Sequence, residues 1–560
     1  VKGDWTTHNK VMRWNLFEHA DNWFCHTYEQ ICPMSEFAIR PELFAEGMDG
    51  KRIKTQLCPS HPEIIARAKQ RVLETLRRNH RKDVRYISIS ENDGSTGFCH
   101  CARCRLFQRK YLSNLAPHLL LVNTVADAIA GEFPDVCVSF LVYSKGLRQA
   151  PTGMRLAKNT MIWYCAYNIE RYEAFEDNPE AVQEFLQWAK LSNHICIWEY
   201  SCDYSDYFRV VPSLPAKLAN LKFWHKHGVK GVMLQEVFGA RGGDQQALRA
   251  WILAQALWDV NIDSDKLARE FCNEVFGKAA PQMYEYYRLV ECAGQARKSV
   301  EDFYTLKGFL NRSNAIFEAA YRACGENRQL RERIDMHYLP IAFMEINAIF
   351  RAYPGNRHSF PVSRYRELLK QIKNIITREK LGGYSETMSM TGKIRELELL
   401  LDNMDGGVIG IDAVNGTLYQ YPIRHDPLAT HGKAPLLPCN GNWLVQWRFP
   451  ANLCEPGRRY QLRVKLRPLK NSMARNVASA GIHYRKGAAH SPDESNAKSL
   501  VWHIDGSQLG SNKYLFITFP QSFEPEPNSY VWLAAENGAD IGGLFVDRIE
   551  LVPAGKTEDE

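Results

Sequence analysis

Residues 85–94 read Arg-Tyr-Ile-Ser-Ile-Ser-Glu-Asn-Asp-Gly. The run Arg85–Ser90 carries β-branched Ile87 and Ile89 and stops abruptly at Glu91-Asn92-Asp93-Gly94. A short apolar run bounded by turn residues is a strand signal. Further runs of this kind follow at Val136–Tyr143, Thr160–Tyr164, His194–Trp198 and Val229–Gln235. Helical periods fall between or beside them, at Ile64–Arg78, Leu106–Phe133 and Pro179–Ser192. Repeated strand–helix units with doubly buried strands predict a parallel sheet. Units of roughly 30–50 residues fit an α/β fold of the (β/α)8 TIM-type barrel class. Weaker strands are expected to end near Cys25–His26 and to lie at Lys54–Cys58. The remaining strand of a closed barrel is then expected near Met12–Phe17 or upstream of Val1. An open doubly wound sheet is the structural alternative. No Gly-rich phosphate loop follows any strand, which argues against a dinucleotide-binding sheet.

Downstream the pattern changes twice. Helical periods run through Ser264–Val275, Ala280–Arg297, Leu310–Cys324, Gln329–Tyr353 and Ser363–Arg378. From Leu418 to Val552, Gly, Pro and Asn punctuate alternating runs such as Tyr460–Leu466, Tyr530–Ala535 and Leu544–Leu551, the spacing of a β-sandwich. The expected domains are therefore a barrel over 1–262, a helical domain over 263–405 and an all-β, jelly-roll-like sandwich over 406–555. A chain of 560 residues is too long for one hydrophobic core.

Composition narrows the class. Hydrophobic residues make up 45% and charged residues 24%, as in a globular protein. The net charge of +7 is dispersed, with small knots at Arg77–Arg81 and Arg331–Arg333. There is no basic arm or aromatic-interleaved basic stripe, so no nucleic-acid partner is expected. No apolar run is long enough for a membrane span.

Barrel enzymes carry their chemistry at the carboxyl ends of the strands. Reading those ends gives candidate catalytic carboxylates Glu91, Asp93, Glu199 and Glu236. Candidate substrate-binding residues are His26, Asn92, Tyr143, Tyr167, Trp198, Tyr200 and Gln235. Carboxylates with aromatic neighbours suit glycoside hydrolysis, which needs a proton donor for the leaving oxygen and a group that stabilises an oxocarbenium-like centre. Asn92-Asp93-Gly94 also fits a plain turn, Glu199 and Glu236 also fit salt-bridge or capping roles, and Trp198 also fits a core position. Strand parity groups Asn92 with Ser88 and Ser90, and Glu91 with Ile87 and Ile89. If the isoleucines face the helices, Asn92 is aimed inward.

Cysteines number fifteen, and most lie in apolar runs. Cys99, Cys101 and Cys104 are the exception. With a fourth ligand such as Cys58 or His100 they compose a structural metal clip; paired or free thiols are the alternatives. No catalytic metal and no cofactor is expected.

The segment YISISENDGSTGFCHCARC (residues 86–104) resembles a block of the domain of unknown function 4838, classed as glycoside hydrolase family 163. His26–Pro33, Pro41–Arg52, Gln56–Ile64 and Leu248–Asp263 resemble further blocks. Ile197–Ser201 (IWEYS) resembles a Trp-Asp-Tyr block, with Glu199 in place of the Asp. The resemblance spans about residues 5 to 290. It implies a barrel acting on β-linked N-acetylglucosamine in complex N-glycans, in secreted, periplasmic or cell-surface bacterial enzymes. It also implies a retaining mechanism in which the substrate's 2-acetamido oxygen is the nucleophile, with Asn92 and Asp93 in the matched block. Family members usually carry an N-terminal α+β domain and a first strand, so a truncated chain is an expectation. Tyr530–Pro553 resembles the last strands of a carbohydrate-binding module, with Trp443, Trp447, Trp502 and Trp532 as stacking candidates or core residues. Open alternatives are a glycosidase of other specificity, such as an α-glucuronidase-like enzyme, and a non-catalytic glycan-binding protein.

Overall fold

The computed structural model describes residues 19–554, except residues 21, 79–83, 95–97, 144–145, 167–169, 193, 238–241, 296–307, 353–360, 403–407, 416–422, 443–444, 449–453, 455–456, 486–496 and 526–528. The expected strand at Met12–Phe17, Tyr167 and Trp443 lie outside the described residues. The chain divides into two compact units, residues 1–238 with 242–338, and residues 339–560 with 239–241.

The first unit is built on a curled, five-stranded parallel sheet. Its strands are β3 (Tyr86–Ser88), β4 (Cys137–Val142), β5 (Thr160–Cys165), β6 (Ile195–Tyr200) and β7 (Gly231–Gln235), adjacent in chain order. All four pairings are parallel. A doubly wound sheet reverses its strand order at a switch point; this one does not, and the sheet is the half-barrel that sequential βα units generate. The segment 19–27 lies along the free side of β3. His19 bridges Tyr86 in parallel. The amides of Ala20 and Thr27 donate to the Tyr86 and Ser90 carbonyls, and Ser88 N–H donates to Trp23. This is the expected weak strand ending near Cys25–His26. A full eight-stranded barrel is not present among the described residues.

The run at Lys54–Cys58 is a strand of a different sheet. β1 (Phe44–Glu46) and β2 (Arg52–Leu57) pair antiparallel as a two-stranded sheet. The turn at Asp49-Gly50, with Gly50 at φ 77°, brings β2 back on β1, so β2 never joins the parallel sheet.

The longer helices beside the sheets are α1 (Pro62–Arg78), α2 (Ala102–Tyr111), α3 (Ala116–Ile129), α4 (Pro179–Ala189), α5 (Leu214–Lys226) and α6 (Gln246–Ala256). The single period expected over Leu106–Phe133 is two helices. Leu112 takes a left-handed backbone (φ 51°), which ends α2, and Pro117 opens α3. Side-chain alternation divides the sheet's two faces. Ile87, Ile89, Val138, Phe140, Ile162, Ile195 and Ile197 pack with the helices in one large core. The opposite face holds Leu141, Met161, Trp163, Cys165 and Cys196, with Tyr86, Tyr143, Trp198, Tyr200 and Met233 against them. The helices Ser264–Phe276, Ala280–Gln295 and Phe309–Cys324 follow in this unit, up to the helix Arg328–Ala352, which carries the boundary.

The second unit contains the helices Val362–Glu379 and Met390–Asp402 and an all-β region. One group of strands there is β8 (Ile409–Asp412), β9 (Ile423–His425), β10 (Lys433–Leu437), β12 (Tyr460–Pro468), β15 (Leu515–Phe523) and β17 (Leu544–Pro553). They form a six-stranded sheet in the order β15-β12-β17-β10-β9, with β8 also on β17. The other group is β11 (Val445–Arg448), β13 (Ala478–Arg485), β14 (Ala497–Ile504) and β16 (Tyr530–Ala535). These form a four-stranded sheet in the order β11-β16-β13-β14. Trp502 of β14 stacks on Phe519 of β15 with centroids 4.9 Å apart, joining the two sheets. Trp447, Trp502 and Trp532 are buried, so all three serve the core of this region.

Candidate active site

The strand ends of the parallel sheet deliver the candidate carboxylates to different environments. Glu91 and Glu199 each follow two alternating isoleucines, and both turn toward the helix side. The Glu199 side chain is 0% exposed. Its carboxylate accepts hydrogen bonds from Lys217 Nζ at 3.0 Å, from the Asn220 amide and from Trp224 Nε1 at 2.9 Å. Those three donors lie on one face of α5, which is bolted to β6 through the carboxylate. Glu91 is 5% exposed. It lines a small internal cavity with Tyr28, Gln56, Phe98, Cys104 and His118. In that wall His118 Nε2 donates to the Ile89 carbonyl at 3.0 Å and Nδ1 accepts from the Tyr28 hydroxyl at 2.7 Å. Burial lowers the His118 pKa to about 4, so the imidazole is neutral.

Asp93 is different: its side chain is 67% exposed, and Oδ1 lies 3.8 Å from His26 Nε2. His26 Nδ1 donates to the Glu91 carbonyl at 2.6 Å. With Nδ1 donating to that carbonyl, Nε2 is the ring nitrogen that faces Asp93. The His26 ring sits 5.8 Å from that of Tyr143. Asn92, expected to point inward, is instead turned by the bend of the chain toward the β1–β2 hairpin. Its amide donates to the Thr55 carbonyl at 3.1 Å, while its backbone N–H and C=O pair with both ends of the Gln56 amide.

Aromatic residues continue from there. Burial pushes the Tyr200 hydroxyl well above its ordinary pKa, and Cys165 and Tyr143 beside it add to the shift, so it remains a donor. Tyr200 meets Tyr204 edge-on at 5.8 Å. Trp198 Nε1 donates to Gln235 Oε1 at 2.6 Å, and the Tyr204 hydroxyl donates to the Gln235 carbonyl at 3.0 Å. The Trp198 ring also stacks on Phe24 at 5.5 Å.

Beyond Tyr204 stands Glu236. Arg249 grips its two oxygens at 2.7 and 3.0 Å, and the Glu236 side chain is 18% exposed. The fork fixes the carboxylate's plane and offsets its charge.

Two residues here had no strand-end signal in the sequence. Asp244 is fully buried 3.9 Å from Arg249, and accepts from Val211 N–H at 3.0 Å. Burial raises its pKa to about 7. Gly243 allows the approach, since a Cβ there would lie 2.9 Å from the Tyr207 carbonyl oxygen. Arg148 is the other. Its guanidinium donates to the carbonyls of Val142 and Cys165, at the ends of β4 and β5, and binds Glu184 of α4 at 2.8 Å.

Cys58, Cys99, Cys101 and Cys104 come together, their sulfurs all within 4.8 Å of one another. Of the two fourth ligands expected for this group, Cys58 joins it, whereas the His100 ring packs on Phe98 at 4.6 Å.

Fold and site together define a mixed α/β protein whose parallel half-barrel sheet ends in a rim of carboxylates, tyrosines and an imidazole. The chain belongs to the family described as Domain of unknown function (DUF4838), which it matches over residues 2–288. Among solved structures it is similar to a GH138 enzyme targeting pectin rhamnogalacturonan II. The identity is 8% and the TM-score 0.32, over 98% of this chain and 85% of that one. It is also similar to CpGH84B, at 10% identity and TM-score 0.24, over 60% of this chain and 67% of that one. No curated protein matches the chain. No helix among the described residues is long and apolar enough to cross a membrane.

Proposed function

We propose that the protein is a retaining glycoside hydrolase acting on β-linked N-acetylglucosamine in glycans such as complex N-glycans, with the substrate's 2-acetamido group as nucleophile. The observation that carries this reading is the rim itself. Asp93 with His26 stands at one end and Glu236 with Arg249 at the other, and Tyr143, Tyr200 and Tyr204 lie along the way. Flat aromatic faces bind sugar rings, and the two carboxylates supply the proton transfer and charge that glycosidic cleavage requires.

In this mechanism the Asp93 carboxylic acid gives its proton to the leaving glycosidic oxygen as the C1–O bond breaks. The acetamido oxygen bonds to C1, giving a cyclic oxazolinium intermediate. Water then attacks C1, Asp93 takes the water proton back, and the acetamide is restored. Glu236, held planar by Arg249, faces the positive charge that develops at the ring. The half-barrel would be the greater part of a closed (β/α)8 barrel, with segment 19–27 supplying one further strand. Secretion, a periplasmic site or the cell surface is the expected place of action.

The test is release of N-acetylglucosamine from β-linked aryl glycosides and of glycan from a complex N-glycoprotein. Activity lost in Asp93→Asn and Glu236→Gln, and inhibition by a thiazoline analogue of the oxazolinium, supports the reading. Turnover of uronic-acid glycosides alone, or full activity in both variants, overturns it.

A further inference from the structure

We infer that Cys58, Cys99, Cys101 and Cys104 form a tetrahedral tetrathiolate site for one thiophilic divalent ion, zinc by preference, which staples the β1–β2 hairpin to the loop that follows β3.

The distances carry the argument. Cys58 Sγ lies 3.7 Å from Cys101 Sγ and 3.8 Å from Cys104 Sγ. Four sulfurs at the usual Zn–S length of about 2.3 Å in a tetrahedron are separated by roughly 3.8 Å along each edge. Such a cage holds a single ion and has no room for a cluster carrying its own sulfides.

The ligands come from three places. Cys58 directly follows β2, Cys99 lies in the loop beyond β3, and Cys101 and Cys104 occupy the N-cap and first turn of α2. One helical turn presents the last two on the same side. The helix N-terminus, with Arg103 and Arg105 on its first turn, offsets the excess negative charge of four thiolates around a divalent ion.

Outer contacts support the sulfurs, as metal sites require. Glu46 N–H donates to Cys99 Sγ at 3.3 Å, and the Ser60 hydroxyl lies 3.0 Å from Cys104 Sγ. The apolar cluster around them is small: Ala45, Cys58, Cys99 and Cys104, with Ile53 and Cys101 at its edge. Phe44 and Leu57 bury the other side of the hairpin in the large core; on the cysteine side no large side chain is buried, and a metal supplies the cross-link that such a small cluster lacks. The hairpin it secures carries Gln56, whose amide fixes the Asn92 backbone next to Asp93.

The experiment is metal analysis of the intact purified chain, followed by replacement with cobalt. One equivalent of zinc, and a Co(II) form with a sulfur-to-metal charge-transfer band and the intense ligand-field bands of a tetrahedral S4 site, are expected. Cys58→Ser and Cys104→Ser should lose the ion, whereas His100→Ala should retain it in full. If the cysteine variants fail to fold, the cobalt spectrum of the unmodified chain still decides. Disulfides among these four cysteines in the isolated protein, or a chain that neither contains metal nor yields that spectrum, would overturn the assignment.

Discussion

Lys217 Nζ and Glu199 Oε1 meet at 3.0 Å with side chains 1% and 0% exposed. A buried ion pair is a poor source of net stability, but breaking one by removing a single partner costs about 3–5 kcal/mol, because a bare charge is left in a low dielectric. Glu199→Gln is therefore expected to destabilise the first unit by that amount, and the urea unfolding midpoint measures it. A Glu199→Leu, Lys217→Met double variant should recover much of the loss. If Glu199 instead acted on substrate, Glu199→Gln would abolish turnover with the midpoint unchanged.

Asp93 and His26 stand at the accessible end of the rim. General acid catalysis contributes about 10²–10⁴ in rate. Asp93→Asn should reduce kcat/KM on an N-acetylglucosaminide within that range without lowering the melting temperature. His26→Ala should lower the rate as well, since its Nε2 faces the Asp93 carboxyl. An unaltered rate would remove His26 from the site.

Asp244 makes stability depend on pH. Its folded-state pKa is raised to about 7 from an ordinary 3.8. The folded protein thus keeps a proton that the unfolded chain releases between these values. Stability from this carboxyl is complete below pH 3.8 and is lost as the pH rises toward 7. Asp244→Asn mimics the protonated form and still accepts from Val211 N–H. It should flatten the stability curve across this window and exceed the unmodified protein near pH 8 by on the order of 3–4 kcal/mol. Parallel curves for the two proteins would show that Asp244 is ionised throughout.

In the second unit, Gly481 of β13 lies against the Trp532 ring of β16, where a Cβ would come within 2.5 Å of the indole. A buried indole cannot shift that far without moving its neighbours. Gly481→Ala should cost about 1–3 kcal/mol, the usual penalty for overpacking, measured as a lowered melting temperature of the chain.

Parallel strands buried on both faces write themselves into sequence as apolar runs, as β4 and β5 do; the half-buried β7 was legible from its apolar run as well. The helices downstream were also legible: Ser264–Phe276 and Phe309–Cys324 agree with their periods to within one residue at each end. Pairing was harder. Lys54–Cys58 was readable as a strand, but its partner Phe44–Glu46 is only three residues long and leaves no periodic trace. The two helix-facing carboxylates did leave one. Ile87, Ile89 and Glu91 share parity, as do Ile195, Ile197 and Glu199, so each glutamate continues the helix-facing row of its strand. The spacing of Lys217, Asn220 and Trp224 along one helical face was the matching signal in α5. Asp244 and Arg148 had no such mark, because each acts through a loop-to-element contact that exists only once the strands are assembled.

The strand order has one more consequence. Each strand of the half-barrel divides its labour between alternate residues: Ile195 and Ile197 hold the scaffold, while Trp198 and Tyr200 address the solvent rim. Every connecting loop after a strand also leaves on that rim. A lineage can therefore exchange one loop, or one rim side chain, while the helix-facing rows that keep the chain folded are untouched. Innovation and maintenance fall on separate sets of residues, so substrate preference in this architecture is open to stepwise divergence at little risk to the fold.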